Sequence, residues 1–302
     1  MVHKGIPHST PERSKSDQEK KPMKTKAKSV LVTGCSTGIG AYCARQLHAE
    51  GWQVFATARK PEDIEQLRQD GVEAFYLNYA EPESIAALAD TIIERTNGTL
   101  YGLFNNGGYA QPGAVEDLPV DALRAQFEAN VFGYLDLTNR LVPHMIARGE
   151  GRIIIHSSVL GFTPMRWSGA YNASKFALEG LYGSMSGELR DTGVKVSLLE
   201  TGPVESKIGE NSLLHYQKWL EGKESRHTAL YEERLAEMAK PSDSGIGKFR
   251  KGPDAVYKRV NHALTSPKPK PRYFITMPTY GMGIAQRILT SKAFLRLAGS
   301  GR

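Results

Sequence analysis

Ser29-Val-Leu-Val-Thr-Gly34-Cys-Ser-Thr-Gly38-Ile-Gly40 is the stretch that decides how this chain folds. Its first five residues are an apolar, β-branched run that stops at a glycine, the pattern of a strand buried in a parallel sheet. Three glycines follow as Gly-x-x-x-Gly-x-Gly, and Ala41–Glu50 continues with helical spacing. In isolation the glycines make only a turn. Between a strand and a helix they let the backbone approach a pyrophosphate at the helix N-terminus. Gly34, Ser36, Thr37, Gly38, Ile39 and Gly40 are therefore candidates for holding a dinucleotide.

Working outward, strands and helices alternate. Strands are expected at 52–57, 74–77, 100–104, 152–156, 194–199 and 273–277, with helices at 61–69, 82–96, 119–148 and from Tyr171 to about Arg190. That rhythm predicts a single α/β domain with a doubly wound parallel sheet, a Rossmann fold, over 29–280. The strand from Trp52 runs out into Ala58-Arg59-Lys60 rather than the acidic residue that holds a ribose 2′-hydroxyl. Arg59 can instead grip a 2′-phosphate bidentately, which favours NADP(H) over NAD; a solvated surface arginine is the alternative. Asn78 ends the next strand, where it can meet an adenine edge. Asn105-Asn106-Gly107-Gly108 mark a turn at a carboxyl strand end, the edge where ligands bind in open α/β sheets. Asn130 sits mid-helix, a poor position for asparagine, as either a surface residue or a site residue at a local distortion.

The net charge of +7 does not point to nucleic acid, because it is not spread over the fold. Residues 1–28 hold eight Lys/Arg against three Asp/Glu, leaving the other 274 residues close to balance. The tail has no aromatic or apolar run and reads as disordered. It has no h-region, and its acidic residues argue against a transit peptide. No stretch reaches the roughly 18 apolar residues of a membrane span. Cys35 and Cys43 fit neither a zinc pattern nor a redox pair, so no metal is expected, and a cytoplasmic location is expected. Residues 205–252 break the strand–helix rhythm after the sixth strand and predict a helical lid over the ligand edge. Residues 281–302 form a basic amphipathic segment that can cover the core, join a partner subunit or make peripheral contact with a membrane, packing or subunit contact being the first expectation.

The chemistry gathers in His156–Lys175. Ser158 lies at a strand end. Tyr171 and Lys175 are four apart at the start of a helix and share one face. An ammonium beside a phenol favours the phenolate and tunes a proton donor toward working pH. Such pairs also arise on ordinary solvated helices.

Taken together, these motifs resemble the short-chain dehydrogenase/reductase family over about 29–277. The resemblance rests on Thr33–Gly40, Asn105–Gly108, Asn130, Ser158 placed 13 residues before the tyrosine, and Tyr171-x-x-x-Lys175. Two positions depart from the family pattern: Gly107 stands for alanine and Thr201 for the usual proline. Ala56–Lys60 and Tyr171–Gly180 are similar to the branch of 17β-hydroxysteroid and retinol dehydrogenases. Lys60–Asp63 and Pro269–Tyr273 are similar to bacterial NADP-dependent aldehyde reductases.

The resemblance implies hydride transfer between NADP(H) and a small lipophilic carbonyl or alcohol. It implies that Ser158 orients the carbonyl, Tyr171 supplies the proton, Lys175 lowers the Tyr171 pKa and holds the ribose, and Asn130 links Lys175 to solvent through a water. Asn106, Gly107 and Val204 join the cofactor-binding set, and subunits pair as a homodimer or homotetramer through 119–148 and 170–190. The rival readings are a non-catalytic NADPH-binding redox sensor, opposed by the intact Ser–Tyr–Lys set, and a sugar-nucleotide epimerase, opposed by the glycine spacing.

Overall fold

The computed structural model describes residue 1, residues 28–239 and residues 245–299. Seven strands form one parallel sheet: β1 Ser29–Val32, β2 Gln53–Ala58, β3 Glu73–Tyr76, β4 Gly102–Asn105, β5 Gly151–Ser158, β6 Val194–Thr201 and β7 Arg272–Ile275. Their order is β3-β2-β1-β4-β5-β6-β7. The order reverses between β1 and β4, so the crevice for a ligand opens at their carboxyl ends.

Alternation along the strands sends neighbouring side chains to opposite faces. Val30 and Val32 join one core with Cys43, Leu47, Ile64, Val256 and Val260. Leu31, Ile153 and Ile155 join the other with Ile92, Leu137, Leu141, Leu178 and Tyr182. The first layer is built from helices α1 Gly38–Ala49, α2 Pro61–Gln69 and α9 Asp254–Thr265. The second is built from α3 Pro82–Thr96, α5 Gly133–Arg148 and α6 Gly169–Glu188. Cys35 and Cys43 are free and buried, as small packing residues. No helix among the described residues is long and apolar enough to cross a membrane.

Several boundaries differ from the sequence expectation. The long helix over 119–148 is two helices, α4 Val120–Phe127 and α5, joined by a π turn at Glu128–Phe132. β5 runs on to Ser158, paired with Thr201, because both strands stay buried to their ends. The expected strand at 273–277 ends at Ile275: Thr276 adopts φ 80° and breaks the extended run, and α10 Met277–Ile288 begins. The basic C-terminal segment is two helices, α10 and α11 Ser291–Gly299, separated where Leu289 turns extended. The region expected to form a lid holds α7 Ile208–Trp219 and α8 Thr228–Ala239. The tail expected to be disordered lies outside the described residues, except for Met1 and Lys28.

Leu103 sits at the centre of the sheet with no exposed surface. Leu103→Ala is expected to destabilise the fold by about 2–5 kcal/mol, read as a lower urea midpoint at unchanged slope.

Candidate active site

The glycine turn is dictated by close approach. Gly34 and Gly38 have φ of 66° and 61°, a region favourable to glycine. A Cβ on Gly34 would collide with the Gly107 backbone, and one on Gly40 with the Gly34 carbonyl. Gly107 is less constrained: its Cβ would lie 3.1 Å from Gly34 Cα, so the alanine of the family pattern needs only a small shift. Thr33 Oγ1 accepts from the Asn106 and Gly107 amides at 2.8 and 3.2 Å, and Asn106 Nδ2 donates to the Thr33 carbonyl at 2.9 Å. These bonds lash the β1 turn to the β4 turn. The first turn of α1 carries no acidic side chain and no side-chain cap, so its amides face outward as an anion site.

A cavity of about 250 Å³ lies on this carboxyl edge. It is lined by Gly34, Ser36, Thr37, Gly38, Ile39, Arg59, Asn78, Asn106, Gly107, Tyr171 and Lys175, and its lid side includes Ile208, Leu214 and His215. Gly40, Ser158 and Asn130 are buried and outside its lining, and Val204 packs against the core. Arg59 has no salt-bridge partner among the described residues, so its guanidinium is available to an anion at the end of β2. Open helix amides beside a lone guanidinium fit a 2′-phosphorylated dinucleotide.

Ser158 occupies the last paired position of β5. Its hydroxyl donates to the Thr201 carbonyl at 3.4 Å and accepts from the Leu160 amide at 3.1 Å. Tyr171 opens α6 one turn before Lys175. Burial pushes the Tyr171 phenol up to about 12, and the Ser158 hydroxyl opposes that rise. Burial is thus the largest influence on this phenol in the folded chain. Lys175 Nζ donates to the His156 carbonyl at 2.6 Å and lies 5.5 Å from the Tyr171 ring centroid. Burial brings the Lys175 ammonium down to about 7, partly offset by Glu179.

Asn130 sits in the π turn with no exposed surface. Its Oδ1 accepts from the Tyr109 amide at 3.2 Å, and its Nδ2 donates to the Tyr109 carbonyl at 2.9 Å and to Ser174 Oγ at 3.3 Å. It clamps the loop after β4 onto α6, and its side chain has no direct bond to Lys175. The mid-helix asparagine thus marks a distortion, as one of the two sequence readings anticipates.

His156 is the residue that the sequence reading missed. With Asn106 Nδ2 turned to backbone carbonyls, Asn106 Oδ1 faces His156 Nδ1 at 2.8 Å, and His156 Nε2 meets Thr201 Oγ1 at 3.0 Å. Nδ1 therefore carries the proton and Nε2 accepts from Thr201. Burial and the Lys175 charge bring this imidazole down to about 3, so it is neutral. The departure at Thr201 supplies a hydroxyl that proline lacks. Strand alternation was the available signal, since 156 and 158 face the same side. Tyr109 and His215 were also missed. Their rings stack at 3.6 Å and join α7 to the loop after β4.

A short-chain dehydrogenase family model matches residues 28–216. The chain belongs to the short-chain dehydrogenase family. It is 38% identical over 271 residues to the uncharacterized oxidoreductase YbbO of Escherichia coli K12, covering 89% of this chain and 93% of that one. It is 32% identical to the NADPH-dependent 1-acyldihydroxyacetone phosphate reductase of Schizosaccharomyces pombe, covering 74% and 80%. It is 31% identical to human 17-beta-hydroxysteroid dehydrogenase type 1, covering 82% and 77%. The crystal structure of a Streptomyces avermitilis short-chain dehydrogenase superposes with TM-score 0.72 at 28% identity, over 88% of this chain and 94% of that one. The protein is thus an oxidoreductase of the CH-OH/C=O type that uses a nicotinamide cofactor.

The Lys175 value near 7 sets a pH dependence. The ammonium is held below that value and lost above it. For carbonyl reduction, kcat/KM is expected to fall as pH rises through about 7. A steady-state profile across that range checks it, and Lys175→Arg, which keeps its charge, should remove the fall from whatever activity survives.

Proposed function

We propose that the protein reduces lipophilic aldehydes or ketones with NADPH. One observation carries the reading. Arg59 at the end of β2, the glycine turn at the end of β1, and Tyr171 with Lys175 beside β5 line one cavity. The sheet order β2-β1-β4-β5 supports reading them as the phosphate, pyrophosphate and reaction ends of one extended ligand. The apolar lid residues Ile208 and Leu214, and the acyl and steroid substrates in the relatives' names, support a lipophilic partner.

Bound NADPH supplies the hydride. Arg59 would hold its 2′-phosphate, the α1 amides its pyrophosphate, and Lys175 its nicotinamide ribose. Ser158 orients the substrate carbonyl and donates to its oxygen as negative charge grows there. Tyr171 delivers its hydroxyl proton to that oxygen. A phenol raised toward 12 is fully protonated at neutral pH, so it enters as the acid, and proton donation of this kind contributes about 10²–10⁴-fold. Asn130 holds the floor of the site as a positioning residue, and a water beyond it would complete the proton path from Lys175. Helix α7 acts as a lid, held to the loop after β4 by the Tyr109–His215 stack. Exposed Val120, Leu123, Phe132, Ile146, Phe176 and Leu181 support pairing of subunits through α4, α5 and α6.

Tyr171→Phe should retain NADPH affinity by fluorescence titration and lose at least about 10²-fold in turnover with a medium-chain aldehyde; near-normal reduction would remove Tyr171 from the acid role. Arg59→Ala should raise the KM for NADPH by about tenfold or more and leave NADH almost unchanged. Equal losses for both cofactors would make Arg59 a surface residue.

A further inference from the structure

The charge that composition assigns to the whole chain is divided sharply along it. Residues 255–302 contain nine Lys/Arg and no Asp/Glu, whereas residues 29–254 carry more acidic than basic residues. The basic block includes β7, α10 and α11. On α10, Met277, Tyr280, Ile284 and Ile288 are spaced i, i+3, i+7 and i+11, which places them on one face. That face is outward: Ile284 is 56% and Ile288 74% exposed, and Leu289 and Leu295 extend it.

The inner face of α10 is committed to the fold. Thr279 and Gly283 are buried, and a Cβ on Gly283 would strike the Phe274 ring. A Cβ on Gly202 would strike Thr276 Oγ1, which fixes the start of α10 against the end of β6. The outer stripe is therefore held in place rather than waiting to fold inward. Beside it lies a second cavity, about 240 Å³, lined by Arg259, Lys270, Arg272, Arg287, Tyr273 and Tyr280 among others. Arg272 is paired with Glu179 and Glu200, but Arg259, Lys270 and Arg287 have no salt-bridge partner among the described residues.

We infer that α10 and α11 form a docking face for an anionic phospholipid surface, with the basic cavity receiving lipid phosphate. Two features select this occupant. The unpaired cations, in a segment free of carboxylates, favour an anionic partner, and a second copy would bring like charge against like charge across a twofold axis. The outward isoleucines and leucines exclude a purely electrostatic partner such as duplex nucleic acid and fit the interfacial depth of a bilayer. The face also adjoins the substrate side of the site. Phe274 stacks on Phe162 at 5.6 Å, and α10 packs against Val159–Gly161, directly after Ser158.

The test is co-sedimentation of the full chain with vesicles of phosphatidylglycerol and phosphatidylcholine, against vesicles of phosphatidylcholine alone. Binding to the anionic vesicles is expected, weakened by salt at about 0.5 M. The paired variant Ile284→Asn/Ile288→Asn removes apolar contact at constant charge. The triple variant Arg287→Gln/Lys292→Gln/Arg296→Gln removes charge at similar size. Each should lower vesicle affinity by about tenfold or more with the thermal midpoint unchanged, since these side chains are exposed. The basic N-terminal residues are common to all variants, so the differences report the helical face alone. The inference is overturned if the wild-type chain ignores anionic vesicles or the isoleucine variant binds as well as wild type. It is also overturned if that variant changes the oligomeric mass by light scattering, or if only duplex DNA binding depends on the three cations.

Discussion

A buried cation at the end of β5 organises the site. Lys175 is almost wholly withdrawn from solvent and makes a 2.6 Å bond to the His156 carbonyl. An ammonium removed from water loses its proton unless its donors are met, and this one has come down to about 7. The bond ties α6 to β5. The His156 ring then reaches Asn106 on one side and Thr201 on the other, and Asn106 reaches the carbonyls of Thr33 and Gly34. One neutral imidazole therefore links the ends of β1, β4, β5 and β6. A charged ring could not serve there, since Nε2 must accept from Thr201 while Nδ1 donates.

Behind Lys175 lies a second buried set. Glu179 accepts from Ser157 at 2.5 Å and pairs with Arg272, which also pairs with Glu200 on β6. Burial raises both carboxyls, and the guanidinium opposes that rise. A single arginine from β7 thus serves two buried carboxyl groups, and Glu179 partly offsets the downward shift at Lys175. The sheet edge carrying the basic C-terminal block is in this way connected to the catalytic helix through an ion-pair triad rather than through apolar packing alone.

The parts legible in the sequence are those written in local periodicity. The β1 run, the glycine spacing and the four-residue gap from Tyr171 to Lys175 each declare their element, and the alternation of elements declares the parallel sheet. What periodicity does not carry is what a side chain meets across the fold. Asn130 is visible as an oddity, but the partners that justify its π turn, Tyr109 and Ser174, come from other elements. The balance at Tyr171 is of the same kind. Adjacency to Lys175 is readable, whereas the burial that raises the phenol is tertiary. Val204 is of the same kind: its position after β6 is plain, and its partial burial against the core is tertiary. The break between α10 and α11 turns on one extended residue, Leu289, inside an otherwise continuous apolar pattern.

Among the described residues, the exposed apolar side chains of α4 and α5 and those of α10 and α11 differ in electrostatic setting, which separates their uses. On α4 and α5 the exposed Val120, Leu123 and Ile146 stand among both signs, as in the pairs Arg124–Asp121 and Arg140–Asp136. A twofold axis can set such a face against itself, because each cation meets an anion of the other copy. On α10 and α11 the exposed Ile284, Ile288 and Leu295 stand among Arg287, Lys292 and Arg296 with no acidic residue from 255 onward. The same operation there would oppose cation with cation at the centre of an apolar contact, where screening is weakest. Self-association through the first face leaves the second free, so pairing of subunits and contact with an anionic lipid surface are compatible in one assembly.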